Sequence, residues 1–139
     1  MKVNQRIKDI VGSTTLAITA KAKELKEQGY DIVNFAAGEP DFDTPDFIKK
    51  SALEAIQKGF TKYTLSVGTL ELREAIARKF QKDNNLRYNP NQIVVSCGAK
   101  HCLYNLIQVM ADADDEVIIP APYWVSYPEM VKVSGAKAK

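Results

Sequence analysis

The sequence has no long apolar run, since no uninterrupted stretch of apolar residues exceeds three among its 139 residues. A membrane-spanning helix needs about 20 apolar residues in succession, so we expect no membrane partner. The first 20 residues likewise lack the apolar stretch of a secretory signal. Two cysteines are too few for a disulfide scaffold and are typical of a reducing compartment. The sequence therefore predicts a cytoplasmic protein.

An excess of charge of one sign is also missing. The 19 basic and 17 acidic residues leave a net charge of +2, and no Lys/Arg cluster is long enough to follow a nucleic-acid backbone. Cys97, His101 and Cys102 lack the spacing and the fourth ligand of a zinc site, so no metal is expected. The motifs of Walker loops, dinucleotide sites and serine hydrolases are absent too. A small molecule is the expected partner.

Capping residues and apolar periodicity predict four main helices. Each begins near a Ser, Thr or Gly and carries apolar residues every three or four positions. With their caps, these helices cover residues 13–29, 44–59, 68–80 and 98–110. A shorter helix is predicted to begin at Pro128 and end near Ser134.

Three short apolar runs between the helices predict strands at residues 32–36, 92–96 and 116–119. Strands that alternate with helices indicate an α/β fold with a mostly parallel sheet covered on both faces. Ligands of such sheets bind beyond the carboxyl ends of the strands. After Gly135 a further strand is expected but missing, which makes the chain a truncated part of a larger domain.

The turn at residues 96–100 has the composition of an anion site. A strand ends there, Gly98 permits close approach of the backbone, and the start of a helix offers free N–H groups. The alternative is an ordinary strand-to-helix turn with a glycine for packing, which the pattern alone favours.

Two other segments lie at strand ends. Trp124 follows a loop with two prolines and is placed to stack on a flat ring, or else to cap the core. Gly38 is able to present its N–H to a carboxylate. Asp41 and Asp43 beside it are interpreted as loop residues rather than an acid–base pair. His101 is interpreted as a solvated or capped helix residue rather than a metal ligand or catalytic group.

Four blocks in order resemble the class I pyridoxal-phosphate-dependent aminotransferases, most closely the bacterial aspartate aminotransferases. They are AGEPDFDTP at 37–45, Tyr63 with GTLELREAI at 68–76, GAK at 98–100 with Leu103, and PYWVSYP at 122–128. The resemblance covers residues 13–135 and matches the N-terminal portion of the family. It implies a cofactor-binding large domain of fold type I.

The resemblance assigns roles to individual residues. It implies that Gly98, Ala99 and Lys100 hold the phosphate of pyridoxal 5'-phosphate and that Trp124 stacks on its ring. Gly38 is implied to donate its N–H to the substrate α-carboxylate, with Trp124 beside the substrate as well. Tyr63 is implied to reach the cofactor phosphate of the partner subunit in a homodimer.

The implied activity is transfer of an amino group between an L-amino acid, aspartate by resemblance, and a 2-oxo acid. The family's Schiff-base lysine matches no residue here, because Lys100 falls in the phosphate turn. The resemblance therefore implies that no catalytic residue lies in this chain and that the isolated chain is inactive. It also implies domain parts at 1–44 (arm, helix and start of the small domain) and 45–139 (first part of the large domain).

Two alternatives stay open at this point. One is an aminotransferase of other specificity, for alanine, aromatic amino acids or kynurenine. The other is a non-catalytic fragment that binds a phosphate ligand or serves only in assembly. In either case a chain without its partner strands is expected to expose apolar surface and to associate.

Overall fold

The computed structural model describes residues 4–8 and 10–139 and divides the chain into two compact units. The first unit comprises Met1–Asp41 with Leu103–Lys139, and the second comprises Phe42–Cys102. The elements in chain order are α1 (Gln5–Lys8), α2 (Thr14–Glu27), α3 (Asp46–Gln57), α4 (Leu70–Asn84), a 3-10 helix (Pro90–Gln92), α5 (Gly98–Met110), β1 (Glu116–Val117), α6 (Ser126–Ser134) and β2 (Lys137–Ala138).

The predicted helices are confirmed, and side-chain caps explain where two of them begin. The Ser13 hydroxyl accepts a hydrogen bond from the Leu16 N–H at 3.3 Å at the start of α2, and the Thr69 hydroxyl does the same for Leu72 at 3.3 Å at the start of α4. Helix α6 begins at Ser126, two residues before the predicted start at Pro128. Within the described residues, no helix is both long and apolar enough to cross a membrane.

The two strands form one parallel pair. Glu116 is aligned with Lys137 and Val117 with Ala138, and the Ile119 N–H donates to the Lys139 carbonyl at 2.8 Å. This pairing, joined through α6, confirms the predicted α/β class with parallel strands. It also corrects one expectation, because the strand predicted to be missing after Gly135 is present as β2.

Two predicted strands do not form in the described residues. Residues 32–36 have no regular structure, and the segment 92–96 begins in the 3-10 helix and continues as extended chain. A strand needs a neighbouring strand for its N–H and C=O groups. The segment 92–96 has a single such bond, from the Val95 N–H to the Val67 carbonyl at 3.1 Å. The apolar pattern is therefore present without the ladder that it predicts.

Helix α6 is the centre of the first unit. Val131 is fully buried, with Met130 and Ala136 beside it in the core. The Arg6 guanidinium donates from α1 to the carbonyls of Val133 and Ser134, both at 3.3 Å. These bonds fix the first helix of the chain to the last turn of α6.

The second unit is organised by one buried cation. The Arg73 side chain is only 6% exposed, and it donates from Nε to the Gly68 carbonyl at 3.2 Å and from Nη1 to the Pro90 carbonyl at 2.9 Å. Ile93, which follows the 3-10 helix, is also buried. The rings of Phe80 and Tyr88 pack edge to face with their centroids 5.8 Å apart. Arg73 thus connects the loop before α4 to the 3-10 helix that follows it.

Much apolar surface is uncovered, as predicted. The accessible area is 11801 Å², whereas a compact 15.5 kDa protein exposes roughly 7,200 Å². Large apolar side chains account for many of the exposed positions, and Phe35, Phe42 and Val109 are each more than four-fifths exposed. The chain therefore buries about half of its unfolded surface rather than the two-thirds that its length permits.

Candidate functional site

The turn at residues 96–100 is the best-formed candidate site. Gly98 begins α5 with φ +78°, a left-handed conformation that favours glycine, and an added Cβ there would meet nothing within 4 Å. Gly98, Ala99 and Lys100 are all exposed. The first amides of a helix have no intrahelical acceptor and point toward its N-terminal end, where anions bind.

Two of the amides in this turn already have partners. The Cys97 N–H donates to His101 Nδ1 at 3.2 Å, and the Gly98 N–H donates to the Ser96 carbonyl at 2.9 Å. Among the described residues, the Ala99 amide is the next along the chain and has no acceptor. The sequence did not predict this capping contact from the His101 side chain.

The approach to this turn is fixed by contacts that sequence reasoning missed. Gly68 has φ +96°, and a Cβ on it would stand 2.7 Å from Val95 Cγ2. The Arg73 Nε–H also donates to the Gly68 carbonyl, at 3.2 Å. The sequence does carry a signal for this arrangement. Arg73 lies one turn into α4, after Gly68 and Thr69, at a position otherwise suited to an apolar residue.

Tyr63 lies in the same unit as the 96–100 turn, in the loop before α4. Its side chain is 107% exposed, so it projects fully away from the described residues. The end of its loop is hydrogen-bonded to the segment before the turn through Val67 and Val95. The structure therefore leaves the Tyr63 ring available for a partner molecule, while its predicted role remains untested.

Asp43 forms an ion pair with Lys49 near the start of α3. Lys49 Nζ lies 2.7 Å from Asp43 Oδ2 and 2.9 Å from Asp46 Oδ1. The Lys49 ammonium and the Thr44 N–H together hold the pKa of the Asp43 carboxyl below its usual range, and the Asp43 carboxylate raises the pKa of Lys49. This arrangement supports the interpretation of Asp43 as a loop residue.

Trp124 and Gly38 belong to the first unit. The Trp124 indole is 41% exposed and meets the Tyr127 ring edge to face at 5.6 Å, in the loop that leads into α6. The Ala121–Pro122 peptide bond in the same loop is cis. Gly38 is exposed, and a Cβ on it would meet nothing within 4 Å. Part of the Trp124 side chain and the backbone at Gly38 are therefore exposed to solvent.

Neither cysteine takes part in a disulfide or a metal cluster in the part of the chain that the structure describes. Cys97 and Cys102 are both free and exposed. No group of three or more His, Cys, Asp or Glu side chains comes together among residues 4–8 and 10–139. Within the second unit, the candidate anion site at residues 96–100 therefore rests on backbone amides.

Comparison with known proteins decides the family. The family described as aminotransferase class I and II matches residues 30–139. The chain belongs to this family. Its members depend on pyridoxal phosphate, as the four sequence blocks predicted.

This aminotransferase chain is similar to several curated relatives. It is 56% identical over 137 residues to the aspartate aminotransferase of Bacillus subtilis (strain 168), covering 99% of the chain and 35% of the relative. It is 52% identical over 137 residues to the aspartate/prephenate aminotransferase of Nitrosomonas europaea, covering 99% and 34%. The chain thus spans about a third of the length of these relatives.

A solved structure agrees with the aminotransferase fold. The Thermus thermophilus aspartate aminotransferase solved with maleate is 46% identical and superposes with a TM-score of 0.96. The match covers 100% of this chain and 36% of the Thermus chain. The predicted large-domain type of fold is therefore confirmed.

The donor set of this aminotransferase chain fits the family's cofactor. A phosphate ester is bound by backbone N–H groups at a helix start, and the exposed amide of Ala99 beside the open space at Gly98 is such a group. A pyridine ring is bound by an aromatic face, and Trp124 leaves part of its indole exposed. The residues predicted to hold the cofactor are thus chemically suited to it.

Proposed function

We propose that this chain supplies the phosphate-binding, ring-stacking and carboxylate-binding parts of an aminotransferase that uses aspartate and a 2-oxo acid. The observation that carries the proposal is its high identity, over nearly its whole length, to relatives named aspartate aminotransferase. The relative solved with maleate binds a four-carbon dicarboxylate, which supports a dicarboxylic amino acid as the donor.

Each site residue has a distinct task in this proposal. The turn formed by Gly98, Ala99 and Lys100 binds the cofactor phosphate at the positive end of α5, with the Ala99 amide as its first donor. The Trp124 indole stacks on the ring and holds its orientation. Pyridoxal 5'-phosphate supplies the electron sink for amino-group transfer when it is bound. This chain's residues bind and orient, and none of them moves a proton.

The substrate and the second subunit contact two further residues. The Gly38 N–H donates to the α-carboxylate of the amino acid, a charge-assisted bond that is stronger than a neutral one. The exposed Tyr63 side chain reaches the cofactor phosphate of the partner subunit in a homodimer. The full exposure of Tyr63 supports this assignment, since the ring has no packing role within its own unit.

Catalysis requires residues beyond these. The Schiff-base lysine, the carboxylate that faces the ring nitrogen and the arginine for the α-carboxylate match no residue of this chain. We infer that the isolated chain does not transaminate. We retain the parts at 1–44 and 45–139 as domain assignments of the complete enzyme, and a cytoplasmic location as part of the proposal.

A second acceptor has specific support. The relative from Nitrosomonas europaea is named for both aspartate and prephenate, and prephenate is itself a 2-oxo acid. We propose prephenate as an alternative acceptor to 2-oxoglutarate. Alanine, aromatic and kynurenine specificity have no comparable support among the curated relatives given above.

A chimera tests the proposal directly. This chain would replace the matching third of the Bacillus subtilis enzyme, and the product would be assayed with aspartate and either 2-oxoglutarate or prephenate. We expect an active chimera, strong loss of activity for Gly98→Val and Trp124→Leu, and no activity for the isolated chain. A folded but inactive chimera would contradict the proposed function, and an active isolated chain would contradict the assignment of the missing lysine.

A further inference from the structure

The His101 side chain closes a hydrogen bond back to the start of its own helix. Its Nδ1 atom accepts from the Cys97 N–H at 3.2 Å, four residues earlier. Side chains of an α-helix lean toward its N-terminus, so a residue one turn into the helix reaches the amide just before it. His101 thus acts as a cap that is supplied from inside the helix.

This bond decides which amides of the 96–100 turn remain available. Cys97 donates to His101, and Gly98 donates to the Ser96 carbonyl at 2.9 Å. The two amides before Ala99 are therefore occupied, and both hold the backbone that leads into the left-handed Gly98. The Ala99 amide is the first in this turn with no acceptor among the described residues.

We propose that His101 is a positioning residue for the cofactor phosphate. His101 does not touch the phosphate; it holds the Cys97 amide and thereby fixes the turn that binds the phosphate. The inference rests on the proposed function, because it assumes that the 96–100 turn binds the phosphate. With the Cys97 amide held, the backbone at Gly98 is fixed and the Ala99 amide points at a defined place. Without the acceptor the backbone of the 96–100 turn can adopt several conformations. Binding of the phosphate then has to order the turn, which weakens the affinity.

The chemical type of the acceptor matters as much as its position. Helix starts commonly use a Glu or Gln side chain to accept from a backbone N–H in this way. A carboxylate here would stand beside a dianionic phosphate and repel it. An imidazole nitrogen can accept the same hydrogen bond, and the ring brings no negative charge to the start of the helix. His101 therefore caps the helix without opposing the anion.

Three substitutions separate these properties. His101→Gln keeps a neutral acceptor, His101→Glu keeps the acceptor but adds a negative charge, and His101→Leu removes the acceptor. The probe is pyridoxamine 5'-phosphate, which has no aldehyde to react with lysines, and its control is pyridoxamine, which lacks the phosphate. Binding to the full chain is measured by calorimetry, and exchange of the Cys97 amide hydrogen is measured by NMR.

We expect His101→Gln to bind pyridoxamine 5'-phosphate within about twofold of the original chain. His101→Leu should bind about three- to tenfold more weakly, which corresponds to one neutral hydrogen bond, and its Cys97 amide should exchange faster. His101→Glu should keep the slow exchange and the helix, since acidic groups suit a helix start, yet bind at least about tenfold more weakly. If His101 served only to stabilise the helix, a folded His101→Leu chain would bind pyridoxamine 5'-phosphate as well as the original chain does.

The outcomes distinguish the two proposals. If the original chain binds pyridoxamine 5'-phosphate no better than pyridoxamine, the proposed function fails and the role of His101 falls with it. If the original chain prefers the phosphate and His101→Leu or His101→Glu binds equally well, only the inference is overturned. If His101→Leu does not fold, His101→Ala replaces it, because alanine also removes the acceptor and suits a helix.

Discussion

Gly68 and Val95 are in such close contact that a single methyl group would not fit between them. A Cβ on Gly68 would stand 2.7 Å from Val95 Cγ2 and 2.9 Å from Val95 Cβ. The neighbouring Val67 carbonyl accepts from the Val95 N–H at 3.1 Å. This contact joins the loop that carries Tyr63, which is proposed to reach the partner subunit's cofactor, to the segment that leads into the 96–100 turn, which is proposed to bind this chain's own cofactor.

Gly68→Ala is expected to destabilise the chain by about 2–4 kcal/mol, through a left-handed backbone and overlap with Val95. The matched control is Gly59→Ala, since Gly59 has φ +76° but nothing lies within 4 Å of an added Cβ. The control should cost only about 1 kcal/mol, from the backbone alone. Urea unfolding followed by circular dichroism measures both, and equal costs would show that the Val95 contact is unimportant.

Arg73→Met is expected to destabilise the second unit by about 2–4 kcal/mol. The substitution keeps the apolar stem but leaves the Gly68 and Pro90 carbonyls without their donor. Arg78→Met on the same helix is the control, because the Arg78 side chain is 72% exposed and lies 3.9 Å from Glu74. Its loss should cost about 0.5 kcal/mol or less. Similar unfolding midpoints for the two variants would contradict the role given to Arg73.

Acid should weaken the start of α3 through Asp43. The Lys49 ammonium, followed by the Thr44 N–H, places the pKa of Asp43 in the folded chain below its ordinary 3.8. A carboxyl with a lowered pKa stabilises the fold above its unfolded pKa, and this contribution is lost as pH falls through the folded pKa. The stability advantage over Asp43→Asn should therefore be present at neutral pH and vanish in strong acid.

Unfolding of the two proteins from about pH 7 to about pH 2 measures this difference. Asp41→Asn, in the same loop, controls for the removal of one negative charge. A difference between the original chain and Asp43→Asn that is independent of pH, or one that grows as the pH falls, would contradict the ion pair with Lys49.

The helices could be predicted because their signals are local. Ser13 and Thr69 cap helices through side chains that reach three residues along the chain, and the apolar period repeats within each helix. The strands differ, because the segments 32–36 and 92–96 have strand composition but no neighbouring strand among the described residues. An apolar run predicts burial, while a ladder depends on a partner that composition cannot supply.

The sequence predicted which types of residue form the candidate site, but not which residues hold them in place. Gly98 and Trp124 stand out by composition and by their place after predicted strands. The roles of Arg73 and Gly68 depend on contacts with Pro90 and Val95, which lie 17 and 27 positions further along the chain. Such contacts leave only a weak trace in a single sequence, here an arginine within an amphipathic helix.

The most direct test of the account is quenching of Trp124 fluorescence by pyridoxamine 5'-phosphate. Trp124 is the only tryptophan, so the signal has a single source. If the indole and the 96–100 turn serve one cofactor, quenching should saturate, should be much weaker with pyridoxamine, and should lose its phosphate preference in Gly98→Val. A flat titration, or equal quenching by the two compounds, would contradict the claim that these residues bind a single cofactor molecule.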